Sequence, residues 1–301
     1  MALGIAAAQN TLELYDLGYL KNSKSIIEMG SQEIQMHKED LKQLFDNAGL
    51  KSDLIDKYPN MNNYPVRPFC PSKYFYESLG IKEYQSIDIN GDHGAIVHDL
   101  NKPFEDKSKF NKFDIVTDQG SCEHVFDIAE CYRTMHNLAK PGGYIIIAQA
   151  VWKGNGYFKF DDSFFEGIAA ANSYKVIYNS YILTLINKTK SINGSDYDFH
   201  IPRNRELFNI LDFSKLDQLN IYGVLQKTKE DEFKFPYQGR FMKEKYSIPK
   251  GFNRLYFKEP MGYTYIPSAT LRVEDAPFRF LLKALISKIK RIIRIRMSKK
   301  K

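Results

Sequence analysis

The sequence predicts an α/β fold built on a doubly wound, mostly parallel sheet with C-terminal additions. Three observations point to it. Residues 24–30, KSIIEMG, set a short apolar run before an acid, Glu28, and then Gly30. A buried strand closed by a turn that suits glycine is how such a sheet begins. Strand-like and helix-like stretches then alternate along the chain, as crossovers between parallel strands require. Finally, YIIIAQAV (144–151) is a near-continuous apolar run, the composition of a strand covered on both faces.

In chain order, residues 5–20 read as a helix with Leu12, Leu14, Tyr15 and Leu17 available to pack. The first strand spans 24–29. Helical spacing resumes at Glu33, Ile34, Met36, Leu41, Leu44 and Phe45, so a helix over 32–48, stopped by Gly49, is expected to open at the first turn. Its N-terminus would bring free N–H groups and a partial positive charge there. Residues 50–71, rich in Asn and Pro, read as a loop long enough to be a lid or insertion. PSKYFYESLG (71–80) is a short helix bounded by Pro and Gly. Strands follow at 83–88, 95–98 and 112–118. A helix over 123–139 carries Val125, Ile128, Ala129, Tyr132, Met135 and Leu138 on one face and ends at KPGG (140–143). Beyond it, 161–174 reads as a helix and 175–187 and 218–228 as strands, whereas 233–272 has no assignable pattern. The expected organisation is a ligand-binding domain over 1–190, an extension over 191–275 that could take part in substrate binding, and a tail helix over 276–301.

The chain has 301 residues, 43% hydrophobic and 14% aromatic, which is globular rather than disordered. The net charge of +7 is uneven: Lys283–Lys301 holds nine Lys or Arg and no acid, so the rest is slightly acidic. The overall charge is therefore no argument for nucleic-acid binding. Three cysteines, Cys70, Cys122 and Cys131, form no metal spacing and no disulfide framework, and no metal is expected. The N-terminus lacks a basic leader, and no apolar run reaches the roughly 18 residues of a membrane span. A cytoplasmic protein is expected. In the tail, Phe278, Leu281, Leu282, Leu285, Ile286, Ile289, Ile292 and Ile293 share a helical stripe flanked by Lys and Arg. That pattern suits either an interfacial helix on the anionic inner face of the membrane or a helix packed on protein.

Acids close three of the expected strands: Glu28, Asp88 and Asp99. Such a set suits a ligand with hydroxyl and amino groups. The stretches IIEMGS, SIDIN, HDLN and FDIVTDQGSCEH, completed by a helix and LAKPGGYIII, lie in the order found in one family. From about residue 23 to about 190 the chain resembles the class I S-adenosylmethionine-dependent methyltransferases. The resemblance implies a Rossmann-like sheet and S-adenosyl-L-methionine as cofactor. On this resemblance Gly30, Ser31 and Gln32 would hold the methionine part, with Glu28 near its cationic portion. Asp88, followed by Ile89, would take the ribose hydroxyls. Asp99 would take the adenine amino group, with Leu100 beside the ring. Asp118 and Gln119 would face the methionine part or the substrate.

Each assignment has a structural alternative. Glu28 could cap a loop, Asp88 could form a turn before Asn90-Gly91, and Asp99 could cap a helix. His124, with Glu123, is a candidate general base for methyl transfer to a hydroxyl, or a residue that only lines the pocket. Tyr157, Phe158, Phe160, Phe164 and Phe165 read as core or as a wall of the acceptor pocket. His200, Arg203 and Arg205 read as surface charge or as an anion site. The family's first loop usually holds two or three glycines; this one holds Gly30 alone. Neither the DNA amino-methylation signature nor the Pro-Cys nucleophile of cytosine C5 enzymes is present, and specific nucleic-acid binding is not expected. The expected activity is methyl transfer to a small molecule or saccharide at oxygen. The alternative is a binding or scaffold module without catalysis; a nicotinamide-dependent oxidoreductase is disfavoured by the missing GxGxxG.

Overall fold

The computed structural model describes residues 2–161, 163–186, 190–203, 208 and 211–236, together with Leu282, Leu285, Ile286 and Ile289. The elements, in chain order, are β1 (Ala2–Leu3), α1 (Ile5–Asp16), β2 (Ser25–Met29), β3 (Glu33–Ile34), α2 (Lys38–Asn47), β4 (Cys70–Pro71), α3 (Lys73–Ser78), β5 (Glu83–Asp88), β6 (Ile96–Val97), β7 (Phe113–Gln119), α4 (Ile128–Leu138), β8 (Ala139–Trp152), α5 (Phe164–Asn172), β9 (Lys175–Leu185), β10 (Phe199–Pro202) and β11 (Leu216–Gln226).

An eight-stranded sheet in the order β10-β9-β11-β8-β7-β2-β5-β6 forms the body. The run from β8 to β6 is parallel; β11, β9 and β10 pair antiparallel. Composition explains the order. All five residues of β2 and all seven of β7 are buried, so these strands belong in the middle, where neighbours on both sides satisfy their backbone. The short β6 closes the far edge. β11, which the sequence reading placed in a C-terminal extension, lies between β8 and β9 and is part of the sheet. Gly223 on β11 is needed there because a Cβ would meet the ring of Phe165 at 2.6 Å.

Two helix expectations are corrected. The segment after Gly30 does not enter a helix: Glu33–Ile34 forms β3, which pairs parallel with β1 and antiparallel with β4, and α2 starts only at Lys38. Pairing from distant segments overrides a local helical period. The expected helix over 123–139 is also divided. Cys122–His124 is a single 3-10 turn, Val125 is extended, and α4 begins after Asp127, whose side chain accepts from the Glu130 N–H at 3.2 Å. The tail helix lies outside the described residues except for Leu282, Leu285, Ile286 and Ile289, which are helical and exposed. Among the described residues no helix is long and apolar enough to cross a membrane.

Candidate active site

The chain runs from β2 outward to β5 and β6, then crosses back to β7 and β8, so β2 and β7 flank the point where the winding reverses. Open α/β sheets bind ligands at the carboxyl ends of such strands. Gly30 turns there with φ +93°, a conformation that costs glycine little, and its N–H donates to the Ile87 carbonyl at 2.7 Å. The next N–H, of Ser31, donates to Asp88 Oδ2 at 2.8 Å, and the Asn90 N–H donates to Asp88 Oδ1 at 3.2 Å. Ser31 Oγ donates to Asn90 Oδ1 and to the Asp92 carbonyl. Gly30, Ser31 and Asp88 thus form one unit. Gln32 Nε2 donates to the Met29 carbonyl at 3.1 Å and Ser121 Oγ at 3.0 Å, tying the ends of β2 and β7. Its Oε1 is buried without a partner.

Further along the edge, Asp99 Oδ1 accepts from the Asn101 N–H at 3.0 Å and from Asn101 Nδ2 at 2.9 Å. These bonds hold its carboxyl below the usual carboxylate range. Asn101 Oδ1 in turn accepts from the Asp127 N–H at 3.0 Å, which links this turn to the start of α4. Leu100 packs partly against the core, whereas Ile89 is exposed.

Glu28 is not at this edge. It is 0% exposed, and its carboxylate accepts from Ser72 Oγ, from Tyr84 Oη at 2.7 Å and from Thr117 Oγ1 at 3.2 Å. Burial raises its pKa against these bonds. The structure places it beneath the strand ends, among hydroxyls that the sequence reading did not connect with it.

Asp118, at the end of β7, is also buried. Its Oδ1 accepts from the N–H groups of Ser121 at 2.8 Å and Cys122 at 3.1 Å, and its Oδ2 accepts from Gln149 Nε2. Burial pushes its pKa up to about 6, although the backbone bonds pull the other way. The 3-10 turn that follows carries Glu123 and His124. Glu123 Oε2 accepts from the Ala150 N–H at 2.7 Å, and His124 Nε2 lies 3.8 Å from Glu123 Oε1. The Glu123 carbonyl accepts from the Tyr157 N–H at 2.8 Å, so the loop after β8 closes on this turn. A Cβ on Gly156 would meet Glu123 Cγ at 2.6 Å, which requires glycine at that crossing.

Glu123, His124 and Gln119 line a cavity of about 370 Å³. Its other walls are the start of α1 (Gly4 to Ala7), β8 (Ala148, Gln149, Ala150), β9 (Ile182, Thr184), β11 (Gln218, Asn220) and the segment Asp196–Asp198. Most of this wall was not recognised in the sequence. One signal was present: Gln149 is the sole polar residue of YIIIAQAV. The aromatic candidates do not line the cavity. Phe165 is buried against Gly223, Phe160 and Phe164 pack edge-on and tilted against Tyr132, and Tyr157 is exposed. His200 is buried between Asn10, Ser180 and the Ala6 carbonyl. Arg203 pairs with Glu166 at 2.7 Å. Arg205 lies outside the described residues. Among the described residues no cluster could hold a metal.

Residues 93–196 match the family model described as a methyltransferase domain. No curated protein matches the chain. Similar solved structures include the Burkholderia thailandensis 1,6-didemethyltoxoflavin-N1-methyltransferase, at 10% identity over 74% of this chain and 79% of that one, with a TM-score of 0.38. A second is an S-adenosylmethionine-dependent methyltransferase from Archaeoglobus fulgidus (12% identity, 74% and 94% covered, TM-score 0.39). A third is the Haemonchus contortus phosphoethanolamine N-methyltransferase 2 (12% identity, 73% and 52% covered, TM-score 0.37). The matched domain contains β7, β8 and the turn between them, and so much of the wall around the reversal of winding. Residues 93–196 are thus similar to a methyltransferase domain, and they lie in a mostly parallel sheet whose strand ends bear carboxylates.

Proposed function

We propose that the enzyme methylates an oxygen of a small, neutral, hydroxylated acceptor of the saccharide kind. The observation that supports this most is the lining of the cavity beside the reversal point. It includes the carboxylates of Glu123, Asp196 and Asp198 and the carboxamides of Gln35, Gln119, Gln149, Asn155, Gln218 and Asn220, with no Lys or Arg among the described residues. Asp196 is paired with Lys190 at 2.5 Å, and an anionic acceptor would still face Glu123 and Asp198 with no lining cation among the described residues. Hydroxyls both donate and accept, and match a wall of carboxylates, amides and the free N–H groups of a helix start.

The residues at the strand ends fit the cofactor. Each oxygen of Asp88 carries one hydrogen bond and retains capacity for another, which would serve the two ribose hydroxyls. Asp99, with Leu100 beside it, would accept from the adenine amino group, and Ile89 would pack on the sugar edge. Gln32 Oε1, buried and unpaired, would accept from the amino group of the methionine part, with Gly30 and Ser31 shaping that turn. Asp118 and Glu28 would act from behind, fixing the strand ends. The bound cofactor supplies an electrophilic methyl group on a positively charged sulfur.

His124 would take the proton of the attacking hydroxyl at Nδ1, with its Nε2 side 3.8 Å from Glu123 Oε1 and Glu123 itself anchored to the Ala150 N–H. Bringing hydroxyl and methyl into line supplies much of the remaining rate. Transfer of labelled methyl from S-adenosylmethionine to a panel of neutral saccharides tests the reading. Labelled methyl ethers support it; transfer to amines alone would contradict it.

The tail reading extends the proposal. Leu282, Leu285, Ile286 and Ile289 lie on one side of a helix and are exposed. We propose a cytoplasmic enzyme whose segment 278–301 rests on an anionic membrane surface. Failure to sediment with anionic liposomes would contradict this part alone.

A further inference from the structure

Two phenylalanine rings stand beside His124, outside the cavity. Phe126 is 80% exposed, and its ring centre lies 6.4 Å from that of Phe158, with the planes tilted by 51°. Between His124 and Phe126 the chain is extended at Val125, which packs partly against the core while its two neighbours are exposed. At most about 7 Å of chain therefore separates His124 from Phe126. Phe158 is fixed to the same turn from the loop after β8. The Glu123 carbonyl accepts from the N–H groups of Tyr157 at 2.8 Å and Phe158 at 3.3 Å. Lys159 Nζ closes this loop on itself by donating to the Gly156 and Phe158 carbonyls at 3.0 and 3.4 Å. Asn155, on the same loop, lines the cavity together with Glu123 and His124. The two rings thus stand at the rim of the cavity, tied to the turn that carries His124.

The extent of this surface decides what could cover it. Each aromatic side chain offers about 150–250 Å². A pair falls short of the roughly 800 Å² per partner of a specific protein interface. One pyranose ring matches it. The C–H groups on a face of such a ring are apolar and slightly positive, and they pack against the negative face of an aromatic ring. The sugar hydroxyls, which point outward around its edge, remain free for water or for the amides and carboxylates of the cavity.

We propose that Phe126 and Phe158 form a stacking subsite for a second sugar ring, next to the ring whose hydroxyl meets His124. The acceptor then has at least two joined rings. This rests on the saccharide reading above and adds to it the length of the acceptor.

Calorimetric titration of the full chain, saturated with S-adenosylhomocysteine, tests the subsite. The probes are D-glucose and D-galactose against maltose, cellobiose and lactose. At least one disaccharide is expected to bind at least fivefold more tightly than either monosaccharide. Phe126→Ala should reduce that advantage to less than twofold, and Phe126→Tyr, which keeps a ring there, should retain it. Because Phe126 is exposed, both variants should fold, and S-adenosylhomocysteine affinity within threefold of the wild type reports that they do. Disaccharides bound no more tightly than monosaccharides would overturn the subsite and leave the saccharide reading standing. So would an advantage that survives Phe126→Ala or is lost in Phe126→Tyr. A Phe126→Ala protein that loses S-adenosylhomocysteine at an unchanged thermal midpoint would assign the ring to the cofactor and overturn the subsite as well. Binding of none of the five sugars would bring down the saccharide reading and the subsite with it. A wild type that binds no S-adenosylhomocysteine would do the same to the cofactor reading and to both.

Discussion

At the scale of single residues, the site depends on side chains that the fold anchors, as Glu123 is anchored through Oε2 to the Ala150 N–H. His124 is 38% exposed and beside the buried Glu123, which suits a base that must meet a substrate. His124→Ala is expected to lower kcat by about 10²–10⁴-fold, the usual contribution of general-base catalysis, with S-adenosylhomocysteine affinity unchanged; steady-state kinetics and calorimetry check the two halves. Asp118 gives a pH-dependent expectation. Its folded pKa of about 6 lies above the unfolded value near 3.8, so the folded state holds a proton that the unfolded state has lost between those pH values. The resulting stability is fully present below pH 3.8 and is lost as pH rises through 6, a span worth about 3 kcal/mol. Asp118→Asn should remove that dependence. Urea unfolding at pH 4 and pH 7.5 should show the variant gaining on the wild type as pH rises.

At the scale of elements, the strands were legible and the connections were not. β2, β7 and the apolar stretch of β8 follow the apolar runs of the sequence because a strand buried on both faces has little choice of composition. The segment from Gly30 to Met36 misled, since its helical period was local and the pairing of β3 with β1 and β4 is not. The single α-helix expected over 123–139 likewise concealed the 3-10 turn that presents Glu123 and His124. Two elements give further expectations. Gly156 crosses Glu123 so closely that Gly156→Ala must push it away, and kcat should fall while S-adenosylhomocysteine still binds. Lys227, buried just past β11, donates to Asn111 Oδ1 at 2.7 Å and to the His136 and Ala139 carbonyls at 2.7 and 3.0 Å. It ties the end of β11 to the junction of α4 and β8. Lys227→Met would leave those acceptors buried and unpaired, and is expected to cost about 2–4 kcal/mol in denaturant unfolding.

At the scale of the whole molecule, the sheet brings together residues far apart in sequence. The acids at the end of β5 and just past β6, Asp88 and Asp99, are local features and could be read from the chain. The cavity proposed to take the acceptor is assembled from α1, β7, β8, β9, β11 and Asp196–Asp198, and no local pattern announces such a meeting. α1 shows why. It buries Gln9, Asn10, Thr11 and Glu13 together with Leu12 and Leu14, so its polar residues, which suggest a solvent-facing side, are enclosed by the rest of the chain. Glu28 shows the same from the other side: an acid near the end of β2 is held beneath the surface by hydroxyls of Ser72, just before α3, of Tyr84 on β5 and of Thr117 on β7.

The central claim is that the cofactor sits where the winding reverses, on Asp88. Titration of S-adenosylhomocysteine into the wild type, Asp88→Asn and Asp88→Ala tests it most directly. Binding by the wild type, weaker with Asn and at least tenfold weaker with Ala at unchanged thermal stability, is the expected result; equal affinity in all three would contradict the account.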